Sequence, residues 1–246
     1  MLSALKAEFR KIFSVRSTYV IFALSIVLTG VFAFYVDGLR AGDTVHDPGK
    51  MAGEVVNAVN ALVTLIALFG VLLVTHEYRY NTIMYTLTSS KSRTRVFVAK
   101  IIAISVVAIL LSLFFSVLSP SFAYIGLKLK GLNLVHQVIP YHDLLWRVVF
   151  TGWAFSMLAL IIALIIRNQI GSVASLFLIP GTIEALLGLI LKNNVAYLPF
   201  TATLGVIQHS SEHHLLSYSH EAIIAAVYVV VGWIIAWMLF LRRDAN

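Results

Sequence analysis

The chain has 246 residues, 60% of them apolar and only 12% charged, with a mean hydropathy of +0.92 and a formal net charge of +7. A soluble domain carries roughly 25% charged residues, so polar groups cannot cover this chain and its surface must be solvated by lipid. The lack of cysteine excludes a disulfide framework and thiolate chemistry, and the positive charge reads as lysines and arginines holding loops in the cytoplasm, not as a nucleic-acid surface.

Residues 1–16 place Leu2, Leu5, Phe9, Ile12 and Phe13 within one arc of a helix, with Ser3, Glu8, Arg10 and Lys11 around the rest. That pattern predicts an amphipathic helix lying along the inner membrane surface; a frayed basic tail that only sets topology is the alternative. The apolar run 19–36 follows a basic region, as in a signal peptide, but it is too long and lacks a small-residue cleavage site. It is read as a retained span.

A spanning helix needs about 20 largely apolar residues. Six stretches qualify, at 18–36, 55–75, 97–119, 144–166, 170–191 and 222–241. The fold class is therefore all-α, a single polytopic membrane domain over residues 1–246 with an N-terminal interfacial helix. Ser119-Pro120 blurs the end of the third span, while Pro180, Gly181 and Glu184 interrupt the fifth. Twelve Lys and Arg residues fall on the side of the termini against six opposite, which puts both ends in the cytoplasm. The loop 192–221 carries Tyr197-Leu198-Pro199-Phe200 and Gly205-Val206-Ile207, too apolar for a wet loop, and is expected to form short helices buried in protein.

The motifs of several chemistries are missing. No G-x-x-x-x-G-K-[ST] occurs (Gly49-Lys50 comes nearest), nor H-E-x-x-H, nor G-x-S-x-G. An enzyme is disfavoured, and no cofactor is expected in this chain. Seven histidines map to the outer side: His46, His136, His142, His209, His213, His214 and His220. The stretch around Glu212, His213 and His214 reads as a titratable loop more than as a metal site, since adjacent histidines cannot share a helix face. Glu184 has two readings. It lies within a span, where an acid costs about 2.5–3.5 kcal/mol and would line a substrate or proton pathway, or the helix ends near Pro180 and Glu184 sits on a short external helix.

The densest polar feature is the stretch 77–100 between the second and third spans, with Glu77-Tyr78-Arg79-Tyr80-Asn81-Thr82 followed by Lys91, Arg93, Arg95 and Lys100. Within it, Thr82-Ile83-Met84-Tyr85-Thr86-Leu87 offers a short helix with Ile83, Met84 and Leu87 on one side. This resembles permease subunits of ATP-binding-cassette exporters, of the bacterial single-domain type-2 class. Glu77 matches that family's glutamate at the end of the second span. Asn81-Thr82 stands where Gly-Thr is usual, Ser90 and Arg93 stand in the Pro/Ser-x-x-Arg stretch, and Lys100 follows. Asn in the glycine position preserves the turn if the backbone there is left-handed.

The resemblance implies a coupling element formed by Glu77, Tyr80, Asn81, Thr82, Ile83, Met84, Leu87 and Arg93, with Glu77 pairing with Arg79, Arg93 or a partner's base. It further implies separate ATPase subunits that carry ATP and Mg, a second permease copy or paralogue, surrounding membrane lipid and a bacterial membrane. The expected cargo is amphipathic or hydrophobic: a drug, lipid or antimicrobial peptide. A stand-alone channel or proton-coupled carrier, and a non-transporting immunity-type protein, are the alternatives.

Overall fold

The computed structural model describes residues 2–40, 60–89, 92–131, 141–207 and 216–242, and every regular element among them is helical. In chain order these are α1 (Leu2–Ser14), α2 (Arg16–Val31) running on as a π-helical stretch (Phe32–Arg40), α3 (Asn60–Arg79), α4 (Ile83–Ser89), α5 (Arg93–Leu129) and α6 (Tyr141–Ile166). There follow α7 (Gln169–Leu178), a π turn (Ile179–Ile183), α8 (Glu184–Leu191), a 3-10 turn (Lys192–Tyr197), α9 (Pro199–Gly205) and α10 (Tyr218–Arg242). Five helical stretches among the described residues are long and apolar enough to cross a membrane: Thr18–Tyr35, Arg93–Leu129, Leu145–Ile166, Gln169–Tyr197 and Tyr218–Arg242. The remaining expected span, 55–75, begins outside the described residues, and its described part is α3. The expected loop histidines at 46, 136, 209, 213 and 214 also lie outside them.

The bundle is built around α6. A helix that is apolar on all sides belongs at the centre, and residues 154–161 are buried without a break. Its neighbours are α3, α5, α10 and α7. By contrast, α10 and the Gln169–Tyr197 stretch show lipid-sized apolar side chains outward, among them Ile170, Leu189, Ile190, Ile223 and Val227.

The third span departs from the sequence reading, and the fifth follows the continuous one of its two readings. Pro120 does not end the third span, and α5 runs unbroken for 37 residues from Arg93 to Leu129. At 1.5 Å per residue it is roughly 55 Å long, well beyond an apolar slab of about 30 Å, so it projects past the bilayer. The extension is stabilised by glycine contact: a Cβ on Gly126 would lie 2.5 Å from the carbonyl oxygen of Phe34 and 2.8 Å from the Cα of Gly38. Here the backbones of α5 and the π-helical stretch touch, as small residues permit in membrane helices. The fifth span is also unbroken, because the π turn at Ile179–Ile183 absorbs Pro180-Gly181 and the helix resumes at Glu184.

The helix ends sort into two groups. At one end Arg93 Nη1 donates to the Leu241 carbonyl (3.2 Å), Arg79 Nη1 donates to Gln169 Oε1 (3.1 Å) and the Arg167 guanidinium sits 5.7 Å from the Tyr78 ring centroid. At the other end, the Arg147 guanidinium lies 3.9 Å from the ring centroid of Tyr218, beside Trp146.

Gly126→Ala is expected to lose about 1–3 kcal/mol of stability, since the neighbouring atoms are backbone and cannot swing away. Thermal unfolding in detergent checks this, with the lipid-facing Val227→Ala leaving the melting point unchanged.

Candidate functional site

The sequence feature that stood out, the turn after Glu77, folds as a left-handed helix cap. Asn81 has φ +54°, Thr82 N donates to the Glu77 carbonyl (3.0 Å) and Asn81 N to the Tyr78 carbonyl (3.4 Å). These are the two bonds of a Schellman motif, whose left-handed residue is usually glycine and sometimes asparagine. The conformation expected for Asn81 is therefore the one observed. The cap reverses the chain at once into α4, where Thr86 N donates to the Thr82 carbonyl (3.2 Å).

On α4, Ile83 turns inward with 2% of its surface exposed, while Met84 is 46% and Tyr85 77% exposed. Ile83 thus roots α4 in its own chain, Met84 and Tyr85 form its outward side, and Tyr80 is exposed in the turn before it. Tyr85 is the exposed residue to which the sequence reading gave no role. Ser90 and Lys91, and the side chain of Leu87, lie outside the described residues.

Beneath this turn lies a closed ring of four charges. Lys11 Nζ is 2.9 Å from Glu8 Oε1 and 2.5 Å from Glu77 Oε1. Lys100 Nζ is 3.1 Å from Glu8 Oε2 and 2.7 Å from Glu77 Oε2, the last an ion pair more than a well-directed hydrogen bond. Each carboxylate bridges both ammonium groups. Lys11 also reaches Thr86 Oγ1 on α4 at 3.2 Å. One ring therefore joins α1, α3 and α5 and holds α4 through Thr86.

Glu77 does not use Arg79 or Arg93 as its partners. Arg79 is turned toward Gln169 and Arg93 toward the end of α10, while the Glu77 side chain points into the bundle, where Lys100 is 98% enclosed. Two observations were available in the sequence. Lys100 lies inside an apolar run, and a base there must find an acid; Glu8 and Lys11 are spaced to pair on one helix. The consequence for α1 is a correction: Glu8 is buried against α5 and does not face water.

The electrostatics follow from burial and charge balance. Burial raises the Glu77 carboxyl, but Lys100 and Lys11 more than reverse this, and its pKa falls below the ordinary value of 4.5. Two acids and two bases sum to zero: Glu8, Glu77 and Lys100 are buried, and Lys11, about a third exposed, balances them from the edge of the ring. Loss of one member leaves an uncompensated charge in a desolvated place.

Comparison with known proteins adds the family. A family model described as ABC-2 family transporter protein matches residues 4–183, from α1 to the π turn. The chain belongs to the ABC-2 transporter family. It is a permease of that family, a multi-pass membrane protein without ATPase motifs, and such permeases work with ATPase subunits. No curated protein matches the chain.

Glu184 lies just past the matched residues of the permease, at the opposite end of the bundle. It is buried, and its carboxylate accepts hydrogen bonds from Phe200 N (2.9 Å), Thr201 N (2.6 Å) and Thr201 Oγ1 (2.7 Å). The two backbone donors are at the start of α9, whose first helical residue is Pro199 and whose N-cap, Leu198, has no side-chain acceptor. Glu184 supplies the cap from another helix. The short helices expected in 192–221 are present, and α9 packs inside the protein against α10 and α6. Among the described residues no group of three or more potential metal ligands occurs.

Lys100→Met should destabilise the permease by about 3–5 kcal/mol, read as a lowered melting point. The double variant Glu8→Gln/Lys100→Met keeps the Lys11–Glu77 pair and the zero sum, and should recover most of that loss. The ring also dictates an acid dependence. Because the Glu77 pKa is depressed in the fold, its contribution is complete above the ordinary carboxylate value and is lost as pH falls through the lower folded value. Melting curves across that acidic range should be flatter for Glu77→Gln than for the native chain.

Proposed function

We propose that this permease is the membrane subunit of an ATP-driven exporter and that the turn from Glu77 to α4 is where a separate ATPase engages it. The supporting observation is mechanical. A short helix with Met84 and Tyr85 outward is fixed at its root by Ile83 and by a buried ring that reaches three other helices. An ATPase that closes on nucleotide needs such a lever, because force on a solvated loop dissipates in the loop. In this reading Tyr80, Asn81, Thr82, Met84, Tyr85 and Leu87 meet the ATPase, Ile83 and Glu77 hold the lever, and Arg93 ties the start of α5 to α10.

The rest of the reading follows from the basic end of the bundle. It faces the cytoplasm with both termini, α3 completes a sixth span, and ATP and Mg are bound by the partner. Two permease copies, identical or paralogous, enclose the path of an amphipathic or hydrophobic cargo. Glu184 enters that path through α9, the short helix it holds at the outer end. A proton-coupled carrier is less well supported, since the Glu184 oxygens are engaged by α9 donors.

Copurification of the full-length permease with an ATPase chain tests the assignment. Tyr85→Ala and Met84→Ala should each weaken capture of the ATPase about tenfold, as truncation of an interface anchor does, with membrane insertion unchanged. Glu77→Ala should lower cargo-stimulated ATP hydrolysis in the reconstituted complex. Transport by the purified permease without any ATPase would overturn the reading.

A further inference from the structure

Between the α1–α2 corner and α3 lies a partly enclosed recess of about 230 Å³. Its walls are mainly apolar, with Ile21 on one side and Phe69, Leu72 and Leu73 on the other, and its polar lining includes Lys11 and Glu77 of the ion ring and Tyr80 and Thr82 of the turn. The recess sits where α1 turns into the first span, so it lies at the level at which lipid headgroups meet their chains. Water in an apolar pocket of this kind gives up hydrogen bonds without replacement, whereas a hydrocarbon chain does not.

The surface around the recess specifies the headgroup. On α1 the exposed side chains include Lys6 and Arg10 together with Leu2 (83% exposed) and Phe13 (65% exposed), and Arg16 is exposed at the start of α2. Exposed bases alternating with exposed apolar residues suit a helix seated on an anionic leaflet. Arg10 and Arg16 flank Lys11 and Val15, both of which line the recess.

We propose that the recess binds one acyl chain of an anionic phospholipid from the leaflet in which α1 lies, with the phosphate held by the bases at the α1–α2 corner. The chain displaces water from the Lys11–Glu77 end of the ring. A drier ring is a stronger one, so lipid occupancy stiffens the root of α4 and raises coupling to the ATPase. That last consequence rests on the coupling reading; occupancy of the recess does not.

The test uses the full-length permease in phosphatidylcholine vesicles doped with phosphatidylglycerol bearing a photoreactive group on its tail, with labelled residues mapped by mass spectrometry. Label should concentrate on residues 69–73 and Ile21, several-fold above the lipid-facing side of α10. It should fall several-fold when the probe is built on phosphatidylcholine. Leu72→Trp and Ile21→Trp, each filling the recess, should abolish that label, and Val227→Trp on α10 should not.

Uniform labelling of recess and α10, or equal labelling by the two headgroups, overturns the proposal. So does an efficient crosslink between Thr18→Cys residues of two copies, which would give the recess to a second chain; the absence of native cysteine makes that readout clean. Copurified ATPase with no label in the recess removes the lipid assignment alone. Recess labelling without any ATPase partner removes only the coupling reading.

Discussion

The fold at the basic end depends on a charge constraint: two carboxylates and the Lys100 ammonium can leave water only together, with the partly exposed Lys11 completing the balance. Each ion alone would cost several kcal/mol to bury, and Lys100, set within an apolar helix, has no other acid within reach among the described residues. Its burial therefore requires Glu8 and Glu77 to arrive at the same point. Glu8 then fixes the position of α1, and Glu77 fixes the end of α3. Lys11 closes the ring and, through Thr86, fixes α4 as well. An element that looks peripheral in the sequence, the first helix, is thereby bound into the structural frame of the turn after Glu77.

The opposite end shows a second solution to the same problem. Glu184 is also a buried carboxylate, yet it is satisfied by the N–H groups at the start of α9 and a threonine hydroxyl, with no ion pair to a described residue. A helix start presents donors with a partial positive charge, which suffices for one acid. The permease thus holds its two ends differently: charge against charge where bases are plentiful, and charge against a helix terminus where they are few. The packing around α6 carries no ion pair among the described residues; its polar contact to α5 is a neutral one, with Trp153 Nε1 donating to Ser105 Oγ (3.1 Å).

Much of this was legible in the sequence because it is local. Apolar length located five of the six expected spans, the asparagine in a glycine position indicated a left-handed turn, and an apolar loop with a proline indicated short buried helices. Pro120 was misleading because a long helix packed on both sides of a proline tolerates it, whereas an isolated one breaks. The partners of Glu77 were not legible. They are 66 residues before it and 23 after it in the chain, and Arg79 and Arg93, closer in the motif, were the obvious candidates. Only the packing of α1 on α5 decides between them. Likewise, helical spacing placed Ile83 beside Met84 and Leu87, but it could not say that the bundle itself would claim Ile83.

A ring of ions is a costly way to join three helices if stability alone were needed, since apolar residues of equal volume often do as well or better. What it adds is register. An apolar contact between helices can slide by a fraction of a turn with little change in buried area. A carboxylate shared between two ammonium groups cannot, because displacement by even one or two ångströms leaves a charge unpaired. In the proposed coupling, that property decides the outcome. Force applied at Met84 and Tyr85 would pass through Thr86 and Lys11 into helices locked in relative position, so the start of α5 and the end of α3 move with α4 instead of yielding to it. In that proposal the ring converts a push on a short surface helix into displacement of spanning helices, and lipid in the neighbouring apolar recess would make the stiffness of that joint a property of the membrane as well as of the protein.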